Sequence, residues 1–146
     1  MARPVLDAVR VVPEPNNRVE LRYVDESRRT ERLTGGVSPW PWPILEPLVS
    51  DLDALYINFI SGFEMELDTA QRVRMRMHGP IYADLHSLLL GVAAGGLRTP
   101  QPLDRWRDWL ACFDMVQVNE DELSSLAGAW GDQWAFAAQT VGDMPR

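Results

Sequence analysis

The segment "DMVQVNEDELSSL", residues 114–126, decides the fold. A short run of strand character passes without a spacer into Asn119, Glu120, Asp121 and Glu122, after which Leu123 and Leu126 return at helical spacing. Asn119 is a favoured N-cap and Glu122 falls at the third helical position, so a capping box is expected to open a helix where the strand ends. A strand feeding a helix in this way is the repeating unit of a parallel sheet covered by crossover helices. The same polar residues also occupy the place where such sheets bind ligands, beyond the carboxyl ends of their strands. Cap and site are both open from these residues alone.

The alternation extends upstream. "DALYINFI" (53–60) is an apolar, β-forming run suited to a strand buried on both faces. "LDTAQRVRMRMH" (67–78) places Leu67, Ala70, Val73 and Met77 at helical spacing, with Asp68 and Gln71 as a capping-box pair, although its Arg/apolar alternation also permits a strand. "PIYADL" reads as the next strand, and "HSLLLGVAAGGLRTPQP" (86–102) as a long loop. Beyond it, Leu103, Trp106, Leu110 and Phe113 form a helical stripe, and a final helix presents Trp134, Ala138 and Val141. Ahead of this α/β part, "RVELRYV" (18–24) and "TERLT" (30–34) suggest a β-hairpin. "SPWPWP" (38–43) suggests an extended connection with a helical turn or two near 45–52; it is read as packing its tryptophans on the hairpin or a second subunit, or as a proline-rich ligand.

The bulk numbers suit one compact unit. The chain has 146 residues, 46% of them hydrophobic, and a formal charge of −7 with a sequence pI of about 4.7. No basic footprint recommends nucleic acid or an anionic membrane. The lone Cys112 sits among apolar neighbours and suits a reducing compartment, and the most apolar stretch, 88–97, is too short to cross a bilayer. These features suggest a cytoplasmic protein without a membrane partner.

Three polar clusters follow the three expected strands, at 61–64, 84–87 and 119–122. In this order, and with "WRDWLACFDMVQVNEDELSSLAG" as the most specific element, they resemble the middle of a ribokinase-like (PfkB) carbohydrate kinase, over roughly 18–128. The resemblance implies a partial ribokinase-like α/β fold across 1–146. A lid hairpin and Pro/Trp loop would occupy about 18–42, and a mostly parallel sheet flanked by helices 43–146. It places Asn119 and Glu122 near phosphate and Mg²⁺, with Glu64, Asp84 and His86 as substrate contacts. At Asp84 the family commonly continues x-Asn-x-Arg, whereas this chain reads Leu85, His86, Ser87, Leu88.

The implied activity is phosphoryl transfer from ATP to a hydroxyl of a small sugar or polyol. The family's Gly-Ala-Gly-Asp segment, which carries its catalytic Asp, does not occur in these 146 residues. No catalytic residue is assigned, and the chain is expected to be an inactive fragment without its own nucleotide site. The other reading is a non-catalytic, pseudokinase-like module that forms a homodimer through the lid hairpin. His78 and His86 have no second His or Cys at ligand spacing, so no transition-metal site is expected.

Overall fold

A computed structural model describes residues 9–25 and 29–143. Its centre is a three-stranded parallel sheet of β3 (Leu55–Asn58), β4 (Ile81–Asp84) and β7 (Met115–Gln117), in the order β3-β4-β7. Register follows the pleat: Tyr56 lies opposite Tyr82, which lies opposite Met115, and Asn58, Asp84 and Gln117 form the next row. Residues of opposite parity, Ile57, Phe59, Ile81, Ala83 and Leu85, point to the other face and are buried. Against that face pack α1 (Trp42–Val49), α2 (Leu67–Arg76) and α3 (Trp106–Leu110), which contribute Val49, Ala70, Val73, Trp109 and Leu110 to the core.

The strand at 53–60 therefore departs from the expectation of two-sided burial. Phe59 is fully buried, but Tyr56 is 55% exposed and Ile60 57% exposed, because helices cover only one side of the sheet. The final helix, α5 (Gln133–Asp143), also turns a different face inward. Phe136 is its buried residue, at van der Waals reach of Trp106 and Trp130, whereas Trp134, Ala138 and Val141 are exposed.

The helix at 67–78 forms as the spacing of its apolar residues predicts, with Ala70, Val73 and Met77 buried. Its expected capping box does not. Glu66 is the N-cap and makes no side-chain cap bond, while Asp68, already inside the helix, pairs with Arg72 one turn on. Arg74 reaches Asp114 at 2.5 Å, and Asp114 also accepts the Ile81 N–H at 2.7 Å, so one carboxylate joins α2 to the start of β4. In α1, Pro43 falls in the first turn, where no N–H is needed, so the helix starts at Trp42 rather than near Leu45. Trp42 packs on the main core, the Trp40 N–H donates to the Glu64 carbonyl at 2.8 Å, and Arg10 lies over the Trp40 ring, so the Pro/Trp segment meets the α/β part.

Two antiparallel hairpins complete the fold. β1 (Arg18–Tyr23) pairs with β2 (Arg29–Thr34), as expected. The second, β5 (Leu90–Val92) with β6 (Arg98–Pro100), replaces the long loop expected over 86–102. Gly95 and Gly96, both at positive φ, make its turn, and a Cβ on Gly96 would come within 2.3 Å of the Leu33 carbonyl oxygen. That close approach joins the hairpins: Arg32 bridges to Leu97 and donates to the Gly95 carbonyl at 2.9 Å. No helix among the described residues is long and apolar enough to cross a membrane.

Candidate functional site

The carboxyl ends of two of the three parallel strands, β4 and β7, open into a cleft of about 420 Å³, roofed by Arg29, Thr30 and Glu31 of β2. Its floor is built from His86, Arg98, Asn119 and Glu122. Each arrives for a local reason. After β4, the Asp84 carboxylate accepts the His86 N–H at 3.1 Å, and this turns the chain into a 3₁₀ segment, His86–Leu89. After β7, the capping box forms as the sequence predicts and opens α4 (Glu120–Ala127). Asn119 Oδ1 accepts the Glu122 N–H at 2.9 Å, and Glu122 Oε2 accepts the Asn119 N–H at 2.8 Å.

Glu122 does more than cap. Its Oε1 also accepts from Asn119 Nδ2 at 2.6 Å and from His86 Nδ1, so the carboxylate joins the end of β4 to the start of α4. A carboxylate can only accept, which fixes the proton on Nδ1 and turns Nε2 towards the roof, 3.9 Å from Glu31 Oε2. The bond to Glu122 raises the His86 pKa above its ordinary 6.5 despite burial, with Glu31 acting in the same direction and Arg29 against it. Burial works against the Glu122 charge, yet the His86 bond and the Asn119 N–H hold its carboxyl below the ordinary 4.5.

Arg98 on β6 gave no signal in the sequence, because it sits in a segment that reads as a loop. Its side chain is 1% exposed. One terminal nitrogen donates to the Ser61 carbonyl at 2.7 Å and the other to the Ser87 carbonyl at 2.9 Å, so the guanidinium pins together the segments that follow β3 and β4. Burial lowers its pKa from the ordinary guanidinium value, with Glu31 and Glu64 opposing. The third donor, Nε–H, is buried without a hydrogen-bond partner among the described residues; it faces Glu31 Oε1 at 3.9 Å.

Of the residues selected from the sequence, the structure brings His86, Asn119 and Glu122 together. Asp84 supports His86 through the backbone. Glu64 is committed to its own turn: Oε1 accepts from the Ser61 N–H at 2.6 Å and the Ser61 hydroxyl at 2.8 Å, and Oε2 from the Gly62 N–H at 3.0 Å. The turn also depends on Gly62, at φ +84°, where a Cβ would meet the Ser87 carbonyl oxygen at 2.4 Å.

The resemblance implies phosphate and Mg²⁺ near Asn119 and Glu122, where both Glu122 oxygens and Asn119 Oδ1 already accept hydrogen bonds. Among the described residues no group of three or more His, Cys, Asp or Glu could hold a metal ion. No protein-family model matches the chain, and no curated protein or solved structure matches it significantly.

Proposed function

We propose that the chain is the lid-bearing α/β part of a ribokinase-like sugar kinase, and that it holds a small sugar or polyol in the cleft beneath β2 of the lid hairpin. The observation that supports this reading is the roofed cleft itself. Polar groups from the ends of two parallel strands meet a hairpin that covers them, in the order of elements the resemblance implies. Such a cleft offers a hydroxyl group both donors and acceptors, which a phosphoryl acceptor needs for orientation. ATP and Mg²⁺ belong to the proposal through the resemblance alone, and no step here is assigned to them.

Titration calorimetry with sorbitol, ribose and gluconate tests the reading: at least one should bind with 1:1 stoichiometry, and uniform absence of binding would remove it. No ATP turnover is expected from the 146 residues alone. Measured turnover would show that the phosphoryl-transfer machinery is already complete without a Gly-Ala-Gly-Asp segment.

A second reading has its own support. The outward strand β1 leaves Leu21 and Tyr23 exposed, the latter by 65%, on an edge that pairs on one side only. A non-catalytic module that dimerises through this edge should give a dimer in size exclusion with light scattering, and Tyr23→Glu should convert it to monomer. A wild-type monomer at tens of micromolar would discard this reading.

A further inference from the structure

Glu31 lies in the cleft in the way a ligand would. Its side chain is 11% exposed, and each oxygen faces a different floor group, Oε1 the Arg98 Nε and Oε2 the His86 Nε2, both at 3.9 Å. A charge-assisted N–H···O bond closes at about 2.7–2.9 Å, so the carboxylate stops roughly 1 Å short of both donors. The reason is its tether. Glu31 is carried by β2, whose position is set by the pairing with β1, by the Arg32–Leu97 bridge and by the Arg32 bond to Gly95. The donors cannot advance either, since Arg98 is pinned by two carbonyls and His86 by Glu122. One buried N–H is left without a partner as a result, an unfavourable state that an untethered acceptor would relieve.

We propose that Arg98 and His86 form a carboxylate-recognition point, and that Glu31 of the lid occupies it as a tethered stand-in until a ligand carboxylate displaces it. The arrangement selects a planar, two-oxygen group, because its two donors come from separate elements and each meets its own oxygen. His86 donates at Nε2 as the imidazolium, the form that Glu122 and the incoming carboxylate both favour. Leu89, Leu90 and Leu97 line one part of the cleft and suit the carbon chain of a small acid, while Thr30, Asp121 and Ser125 line another and offer hydroxyls polar partners. Combined with the sugar-binding reading, on which this part of the inference rests, the ligand class is a polyhydroxy acid and not a neutral sugar.

Gluconate and sorbitol test this directly, since they share a six-carbon polyol chain and differ in a terminal carboxylate, while lactate offers the carboxylate with almost no polyol. In calorimetry at pH 6, gluconate should bind wild type about tenfold or more tighter than sorbitol. Glu31→Gln keeps the hairpin but weakens the stand-in, so gluconate should bind several-fold tighter. His86→Gln should lose about tenfold for gluconate and little for sorbitol. Equal affinity for gluconate and sorbitol would overturn the carboxylate point and leave the sugar-binding reading standing. Lactate binding as tightly as gluconate would support the carboxylate point and overturn the polyol reading, and no binding by any of the three would overturn both. Weaker gluconate binding in Glu31→Gln would show that Glu31 contacts the ligand instead of competing with it.

Discussion

Glu64 and Glu122 follow two different strands, and each accepts the backbone N–H of the residue three positions before it. Glu64 closes on itself, and among the described residues all its side-chain hydrogen-bond partners are Ser61 and Gly62. Glu122 makes the same kind of local closure through Asn119 and then reaches 36 residues back to His86. The lesson concerns which carboxylate can serve a site. One whose acceptors are filled by its own turn is a structural device, while one that shares them with a titratable side chain sets that side chain's charge and direction.

The comparison fails if the two residues respond alike when removed. Glu64→Ala should cost about 3 kcal/mol, because two backbone donors and a hydroxyl lose their acceptor beside buried Ser61. Its partners do not titrate between pH 5 and 8, so in urea denaturation the penalty should be flat across that range. Glu122→Ala should cost about 2 kcal/mol at pH 6, combining the lost side-chain bond to the Asn119 N–H with a half-buried His86 left unpaired. This penalty should shrink towards about 1 kcal/mol, the lost Asn119 N–H bond alone, once His86 is neutral.

His86→Gln sharpens the same contrast through its pH profile. The His86 pKa is raised on folding, so its contribution is complete below the ordinary 6.5 and disappears as pH rises through the folded value. The Glu122 pKa is lowered, so its contribution is complete above the ordinary 4.5 and disappears as pH falls through the folded value. The stability difference between wild type and His86→Gln should therefore be largest between pH 4.5 and 6.5. A difference that does not change up to pH 9 would mean that the His86–Glu122 pair contributes no charge interaction. The smallest effect belongs to Asp68→Asn, which removes an exposed pair with Arg72 and should change stability by less than about 0.5 kcal/mol.

These cases also show what was legible in the sequence. The capping box at Asn119 was readable because all its parts lie within four residues. The pair Asp68 and Gln71 carried the same signature and failed, because the extended backbone that an N-cap needs falls at Glu66, two residues earlier. The parallel strands were readable from apolar runs and helical spacing, but one-sided burial was not, since a run such as 53–60 does not reveal which of its faces is covered. The link from His86 to Glu122 spans 36 residues and leaves no local pattern, and the position of Arg98 depends on the β5–β6 hairpin. Its strands are three residues each, too short for a period-2 pattern to register, and its Gly95–Gly96 turn reads equally well as loop.

The tie between the two hairpins has a kinetic consequence. The floor of the cleft is fastened by two buried hydrogen bonds from Arg98 and by the half-buried His86–Glu122 bond, whereas the roof is joined to the neighbouring hairpin by the Arg32–Leu97 bridge and one Arg32 side-chain bond to Gly95. A ligand that must lift such a roof enters no faster than the roof opens. Its observed association rate should level off at high ligand concentration, at a plateau equal to the opening rate of the hairpin. Arg32→Ala should raise that plateau.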